Sequence, residues 1–210
     1  MICHNGNFIE SNPFINRATL FGDGFFESMR LKDGKIILES YHLKRIQHSC
    51  ELLQLNCNEE LIDRIKSDVI ALIKQNRHTA HARVRVSIYR AGDGRYAPTS
   101  NEINYFISSS ELDSFYIFSS TGIKAGFYTE QVKASGKYSG IKSLSSQQYV
   151  MASIYAQQNN FDEVVILNHE GNCIEGNTSN LFLIKDDSII TTPIADGCID
   201  GVFRNYLIYL

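Results

Sequence analysis

The chain has 210 residues, of which 43% are hydrophobic and 20% are charged, and its formal net charge is −3. These values are typical of a globular chain that folds as one large or two small domains. Acidic residues slightly outnumber Lys and Arg, which argues against nucleic acid as a partner. The first residues lack the pattern of a signal peptide, and no apolar stretch reaches the roughly 18 residues that cross a bilayer. The sequence therefore predicts neither a nucleic-acid nor a membrane partner.

The cysteines are widely spaced and include no Cys-x-x-Cys motif. An odd, scattered set is typical of reduced thiols, so we expect a cytoplasmic protein without a disulfide framework. No cluster has the spacing of metal ligands, and the sequence predicts no metal site. The five cysteines are Cys3, Cys50, Cys57, Cys173 and Cys198.

The first half of the chain mixes strand and helix patterns. Residues 40–55 carry apolar side chains along one helical face, whereas residues 82–90 alternate apolar and polar side chains as a half-buried strand does. The predicted elements are, in order, strands within 3–11, a hairpin over 21–40 that turns at Lys32-Asp33-Gly34, helices over 40–55 and 59–75, and strands over 82–90 and 104–112.

The second half follows a serine-rich segment, residues 108–120, that we interpret as a linker. The predicted elements after it are a strand over 123–129, a loop to Gly140, a helix that ends near Ala156, and three strands within 161–193 with turns at 169–171 and 186–187. This order lacks the regular βαβ alternation of a parallel sheet. It predicts an α+β fold of two domains, residues 1–118 and 119–210.

Lys142 lies in the segment SGIKSLSSQQYV, just before a predicted helix. Ser145 and Gln148 have the spacing of a capping box, so we expect Lys142 a few residues outside a helix N-terminus, where the macrodipole disfavours positive charge. If the site is also desolvated, the pKa of Lys142 would fall and its amine would become a nucleophile. The competing interpretation is a solvated lysine in a surface loop.

Glu175 lies in the segment CIEGNTSN, where it ends an apolar strand and precedes a glycine and a run of amides and hydroxyls. A carboxylate beside hydroxyls and backbone N–H groups suits a ring nitrogen and an anionic group held side by side. The competing interpretation is a solvated glutamate in a hairpin turn.

Together these segments resemble the class IV, or fold type IV, pyridoxal-phosphate enzymes, which include branched-chain aminotransferases, D-amino-acid aminotransferases and 4-amino-4-deoxychorismate lyases. The resemblance implies a two-domain α+β fold with pyridoxal 5'-phosphate (PLP) in the interdomain cleft. It extends from about residue 4 to the last residue, in the family's order, through the blocks NRATLFGDGFFESMRLKDGKI, YHLKRI, YRAGDGRY, GIKSL, FDEVVILNHEGNCIEGNTSNLFLI, ITTP and IDGVFR.

The resemblance implies roles for eight residues. Lys142 resembles the lysine that forms a Schiff base with the cofactor aldehyde and then moves a proton at the substrate, and Glu175 resembles the carboxylate that pairs with the pyridine nitrogen. The remaining matches are Arg45, Val202 and Phe203 for the phosphate, Ile199 and Thr178 for the two ring faces, and Arg95 for a substrate carboxylate. By its helical position alone, Arg45 would be a solvated arginine.

The sequence also departs from the family pattern. Phe203 stands where many members have Thr, Ser145 where Asn is frequent, and the family normally continues past the GVFR block, whereas this sequence stops at Leu210. NRATLFGDG and the non-Thr residue favour the lyase branch, which converts aminodeoxychorismate to pyruvate and 4-aminobenzoate. The alternatives are a branched-chain or other amino-acid aminotransferase and, in another class, a catalytically inactive binding relative. The resemblance further implies a homodimer with a small-molecule substrate.

Overall fold

The computed structural model describes residues 2–4, 7–9, 15–78, 80–112 and 120–210. The helices within them are α1 (Arg17–Phe21), α2 (Glu39–Leu52), α3 (Glu59–Asn76), α4 (Gln147–Gln158) and α5 (Val202–Ile208), with a 3-10 turn at Ile194–Asp196. The strands are β1 (Ile2–His4), β2 (Asn7–Ile9), β3 (Gly24–Lys32), β4 (Lys35–Ile36), β5 (His81–Arg90), β6 (Ile103–Glu111), β7 (Ala125–Phe127), β8 (Glu163–Leu167), β9 (Cys173–Gly176), β10 (Phe182–Lys185) and β11 (Ser188–Thr191).

The N-terminal half is built on an antiparallel sheet with the strand order β4-β3-β5-β6. Its apolar face, which includes Met29 and Val84, packs against α2 and α3 in the larger hydrophobic core. Because side chains alternate along a strand, the opposite face presents Ser28 beside Arg85 and Arg30 beside Arg83. That polar face contributes one wall of the cleft described below.

Helix α3 shows how the sequence forms this core. Asn58 caps its N-terminus, accepting a 2.9 Å hydrogen bond from the Leu61 N–H. The residues that it buries recur every three or four positions, which puts them on one face of the helix. Each such aliphatic side chain contributes roughly 1.5–3 kcal/mol when fully buried. They are Ile62, Ile65, Val69 and Ile73.

The C-terminal half contains the three-stranded sheet β7-β8-β9. Strands β7 and β8 are parallel and are joined through α4, so this half includes one βαβ unit, which does not repeat along the described strands as a regular βαβ alternation would. A second, smaller core lies between α4 and this sheet and includes Ala152, Val164 and Ile174. β10 and β11 form a separate two-stranded sheet.

The main predicted elements are confirmed: the hairpin turn after Lys32, the two long helices, and the strands now named β5 and β6. Helix α1 was not predicted; it is capped by a box between Asn16 and Thr19. Four strands, instead of three, occupy residues 161–193. None of the described helices has the length and apolar composition needed to cross a membrane.

Two further predictions are corrected. Residues 108–111 of the predicted linker belong to β6, because they pair with β5. The predicted domain boundary at 118/119 lies within residues 113–119, outside the described residues, and stays a prediction. The Ser145–Gln148 capping box is not formed. Ser146 is the N-cap of α4 and makes no side-chain capping bond, while the Ser145 N–H donates to the Ser143 hydroxyl at 3.0 Å.

Candidate active site

Lys142 lies on a loop that is fixed by backbone hydrogen bonds to β3. The Phe26 N–H donates to the Lys142 carbonyl at 2.9 Å, and the Leu144 N–H donates to the Gly24 carbonyl at 3.0 Å. Phe25 and Ser143 also form an isolated antiparallel bridge. Because these bonds extend the sheet by a short stretch, Lys142 is held by rigid backbone although it belongs to a loop.

The Lys142 amine has no hydrogen-bond or ion-pair partner within the described part of the chain, and it lies 4.9 Å from the centroid of the Phe26 ring. Burial lowers the pKa of Lys142, and the positive charge of Arg45 lowers it further, against the opposite influence of Glu27 and Glu175. The lowered pKa agrees with the sequence-based expectation, but its principal cause is burial and not the helix end.

Glu175 is a buried carboxylate, only 2% exposed, and not the solvated hairpin glutamate of the competing interpretation. Its Oε1 accepts hydrogen bonds from Lys133 Nζ at 2.7 Å and from the Tyr149 hydroxyl at 2.6 Å. Its Oε2 accepts one from the Ile199 N–H at 2.8 Å. Burial, and then the nearby Glu175 carboxylate, raises the pKa of Tyr149, which therefore remains a hydrogen-bond donor.

Arg45 is not the solvated arginine that its helical position indicates. Its guanidinium forms an ion pair with Glu27, which is 1% exposed, and donates to the Asp200 carbonyl at 2.9 Å. His42 Nδ1 lies 3.0 Å from the other oxygen of Glu27. Burial alone would raise the pKa of Glu27, but Arg45 and His42 outweigh it and hold the pKa below its ordinary value.

Lys142, Glu175 and Arg45 line a cleft of about 740 Å³. An adjoining pocket of about 470 Å³ shares Lys142, Arg45 and Gly201 with it, and the two together are called the cavity. Seven of the eight predicted site residues line this cavity: Lys142, Glu175, Arg45, Thr178, Ile199, Val202 and Phe203.

Arg95, the eighth residue, is not among the described residues that line the cavity. Its side chain is exposed, on the loop between β5 and β6. Its carbonyl accepts a 2.8 Å hydrogen bond from Arg17, which also binds the carbonyls of Asp93 and Gly94. The loop is thus attached to α1, and within this chain it does not present Arg95 to the cleft. The predicted role of Arg95 stays a prediction.

The segment around Thr178 is organised by Glu163, which sequence reasoning missed. Glu163 Oε1 accepts hydrogen bonds from the N–H and the hydroxyl of Thr178, at 3.1 and 3.0 Å, and from the Ser179 hydroxyl at 2.7 Å. A carboxylate that gathers three donors holds this turn in one conformation. The first residue of β8 therefore fixes Thr178 at the cleft.

The residues before α5 form a close backbone junction. Asn180 donates from its side-chain amide to the Ile199 carbonyl at 2.9 Å, so Ile199 is held at both its carbonyl and its N–H. Gly201, the N-cap of α5, packs so closely on Asn180 that a side chain at this position would collide with the amide. Val202 is buried, and the Phe203 side chain is 49% exposed.

Two arginines on β5 also face the cleft. The Arg85 guanidinium carbon lies 3.5 Å from the centroid of the Phe26 ring, and Arg83 is its neighbour on the same face of the strand. Burial, and then the charge of Arg83, lowers the pKa of Arg85. No carboxylate forms a salt bridge with Arg83 or Arg85 within the described ranges. Their alternation with apolar residues indicated only a half-buried strand.

Comparison with known proteins identifies the class. Residues 24–210 match the model of amino-transferase class IV, so the chain belongs to this family, whose cofactor is PLP. A D-alanine aminotransferase from Staphylococcus haemolyticus is 29% identical over an alignment 218 residues long, which covers 97% of this chain and 72% of that protein.

Solved structures show the fold. A putative 4-amino-4-deoxychorismate lyase from Legionella pneumophila superposes with a TM-score of 0.82 at 20% identity, over 96% of this chain and 73% of that one. The branched-chain aminotransferase of Escherichia coli gives 0.80 at 20% identity, over 98% and 71%. The predicted fold type IV architecture is therefore confirmed.

The residues of the cleft fit PLP. An aldehyde requires an amine that is not engaged elsewhere, which Lys142 provides; a pyridine nitrogen requires a buried carboxylate, which Glu175 provides. A phosphate suits the guanidinium of Arg45 and the backbone at Gly201 and Val202, which line the same pocket at the start of α5.

Proposed function

We propose that this protein is a PLP-dependent enzyme in which Lys142 removes a proton from the amine-bearing carbon of an acidic substrate, and that its reaction is the 4-amino-4-deoxychorismate lyase reaction. The observation that carries the proposal is the Lys142 amine, which is half-buried, has a lowered pKa, and shares a cleft with Glu175. An unprotonated amine is what both bonding to an aldehyde and accepting a proton require.

The bound cofactor would supply an electron sink for the charge left by deprotonation. In our proposal Glu175 faces its ring nitrogen, Arg45 and the backbone of Val202 and Phe203 hold its phosphate, and Ile199 and Thr178 lie at its ring faces. Lys142 then acts twice, as the attachment point and as the base.

The two arginines on the β5 wall of the cleft favour a substrate that carries negative charge. A guanidinium offers five N–H donors, and the only hydrogen bond that Arg85 makes within the described residues is a 3.4 Å contact from Nε to Ser87. Arg83 and Arg85 are two residues apart on one strand, so both can contact a carboxylate that lies over the sheet. Aminodeoxychorismate carries two carboxylates, as do glutamate and 2-oxoglutarate, and an aliphatic substrate such as leucine carries one.

The proposed elimination needs no oxidant. Lys142 takes the proton from the carbon that bears the amine, the bond between the ring and the enolpyruvyl oxygen breaks, and its electron pair leaves with that oxygen. The departing group gains a proton and becomes pyruvate, while the ring becomes aromatic as 4-aminobenzoate. Loss of one proton and one leaving group accounts for every atom.

An amino-acid aminotransferase is the second candidate, and the 29% identical D-alanine aminotransferase favours it. Such an enzyme would use the same proton removal by Lys142 but return the proton to the cofactor in place of expelling a leaving group. Both candidates require Lys142 to bond to PLP. An inactive binding relative would not require it.

A paired assay on the PLP-loaded protein separates these functions. One arm supplies aminodeoxychorismate and measures 4-aminobenzoate and pyruvate in equal amounts; the other supplies D-alanine, or leucine, with 2-oxoglutarate and measures glutamate. We expect product in the first arm. Glutamate in the second arm, without product in the first, would show an aminotransferase and contradict the lyase. If neither arm gives product, the protein is not an enzyme of this kind.

We further propose that the protein is a cytoplasmic homodimer.

A further inference from the structure

Lys133 is a buried cation that none of the roles above uses. It is 8% exposed, and its ammonium makes three hydrogen bonds: to the Ser139 carbonyl at 3.0 Å, to the Tyr149 hydroxyl at 2.7 Å and to Glu175 Oε1 at 2.7 Å. An ammonium has three N–H donors, so all of them are engaged. Lys133 is therefore bound as a cation and is not a second nucleophile in the cleft.

The backbone of Lys133 is as firmly held as its side chain. Its N–H donates to the Leu167 carbonyl at 2.8 Å, and it forms an isolated parallel bridge with Asn168, directly after β8. Asn168, itself 1% exposed, is buried beside this bridge. The cation is consequently attached to the same sheet that carries Glu175 on β9.

The hydrogen bonds of Glu175 do not use all the acceptor positions of its carboxylate. A carboxylate has about four acceptor positions on its two oxygens. Lys133 and Tyr149 occupy those of Oε1, and the Ile199 N–H occupies one on Oε2. Within the described ranges no other donor reaches Oε2, so one of its acceptor positions is open, and Glu175 lines the cleft whereas Lys133 is not among the described residues that do.

We propose that Lys133 is a positioning residue, which fixes Glu175 as an ionised acceptor whose single open position, on Oε2, receives the protonated ring nitrogen of PLP. The proposal rests on the function proposed above. Without the cation, Oε1 would lose one of its two donors and the buried carboxylate would lose its charged partner, so the carboxylate could rotate and withdraw its acceptor from the cleft. Lys133 would thus act on the ring nitrogen only through Glu175.

The test compares two ligands that differ only at this atom: PLP and its 1-deaza analogue, in which a C–H group replaces the ring nitrogen. Their dissociation constants for the apoprotein are measured by equilibrium dialysis, without any turnover. We expect the unaltered protein to bind PLP at least about tenfold more tightly than the analogue, the value of one hydrogen bond to a charged group. In Lys133→Met the preference should fall to within about twofold.

Lys137→Met is the matched control, because Lys137 belongs to the same loop but its side chain is exposed. It should keep the tenfold preference. A merely structural role of Lys133 would weaken the binding of both ligands equally and leave their ratio unchanged. If Lys133→Met keeps the preference for PLP over the analogue while Glu175→Met loses it, the inference about Lys133 is overturned and the proposed role of Glu175 remains.

The double variant Lys133→Met/Glu175→Met guards against a folding defect. Removing one member of a buried ion pair leaves an uncompensated buried charge, whereas replacing both members by apolar residues is tolerated. If Lys133 acts through Glu175, the preference for PLP in the double variant equals that in Glu175→Met alone. A further loss in the double variant would contradict the inference, and an undiminished preference in Glu175→Met would overturn both it and the proposed role of Glu175.

Discussion

Two buried carboxylates, Glu27 on β3 and Glu175 on β9, flank the cleft, and they are built alike. Each is almost fully buried, and each accepts hydrogen bonds from a cation and from a second side chain. For Glu27 the partners are Arg45 and His42; for Glu175 they are Lys133 and Tyr149.

The two clusters differ in which member reaches the cleft. Around Glu27, the cation Arg45 lines the cavity and the carboxylate lies behind it; around Glu175, the carboxylate lines the cavity and the cation lies behind it. A buried ion pair can therefore present either charge to a ligand while its partner offsets the cost of burial. The contrast suits a ligand with a phosphate at one end and a basic nitrogen at the other.

Lys142 is the residue on which both clusters act, since the pKa of its amine responds to Arg45, Glu27 and Glu175. Lys142→Ala should abolish the adduct that borohydride traps with PLP, and with it all turnover, because Lys142 is the only lysine among the described residues that line the cavity. Mass spectrometry of the reduced protein measures this. Lys137→Ala should retain the adduct; an adduct on Lys137 in the unaltered protein would contradict the assignment.

Glu27→Gln tests the cluster in which the carboxylate is the support. Removing one member of a buried pair should destabilise the protein by roughly 3–5 kcal/mol, measured by denaturant unfolding at pH 7. Because the pKa of Glu27 is lowered in the folded state, its contribution is complete above the ordinary value of 4.5 and is lost as pH falls through the folded-state pKa. In Glu27→Gln the free energy of unfolding should therefore fall less between pH 7 and acid pH than in the unaltered protein.

Glu60 is a suitable control for this prediction, because it is an exposed glutamate on α3 whose partner, Arg64, is also exposed. Glu60→Gln should change the free energy of unfolding by less than about 1 kcal/mol. Equal effects of Glu27→Gln and Glu60→Gln would show that the ion pair with Arg45 contributes nothing to stability.

Glu175→Gln tests the cluster in which the carboxylate faces the ligand. A neutral amide cannot stabilise a protonated ring nitrogen, so turnover should fall about 10²–10³-fold, while much of the PLP binding remains through Arg45 and Lys142. Turnover and the dissociation constant of PLP are measured on the same preparation. Unchanged turnover would show that Glu175 has only a structural role.

The same substitution should shift the titration of Lys142. Glu175 raises the pKa of Lys142 against the larger effect of burial, so Glu175→Gln should lower that pKa further. The rate at which acetic anhydride labels Lys142 in the apoprotein, followed against pH by peptide mass spectrometry, reports it. In the unaltered protein the midpoint should already lie below the value of about 10.4 for an ordinary lysine. A midpoint that moves upward in Glu175→Gln would contradict the charge arrangement described here.

The sequence predicted the regular elements better than the polar interior. Helix α3 could be predicted because its apolar residues recur every three or four positions within one short segment, after the N-cap residue Asn58. The burial of Arg45 could not be predicted in this way, since its partner Glu27 lies on a different element, 18 residues away. Lys133 is an equally plain case: it lies 42 residues from Glu175, and only the folded sheet brings them together. The resemblance to the family named seven side chains that line the cavity, but not Arg83 and Arg85 beside them, nor Glu27, Lys133 and Glu163, which hold cavity residues in place.

Arg95 offers the smallest expected effect. Its side chain is exposed, and Arg17 attaches its loop to α1, so a role in catalysis requires the cleft of another subunit. In that case Arg95→Ala should raise the KM for substrate about tenfold, the cost of one charged hydrogen bond. Mixing it with Lys142→Ala should restore a low KM, because each hybrid dimer has one cleft with Lys142 from one subunit and Arg95 from the other. If subunit exchange is confirmed by mass and the KM is not restored, Arg95 does not act in the partner's cleft. Arg83 and Arg85, the described arginines of β5 that line the cleft, would then remain for the substrate carboxylate.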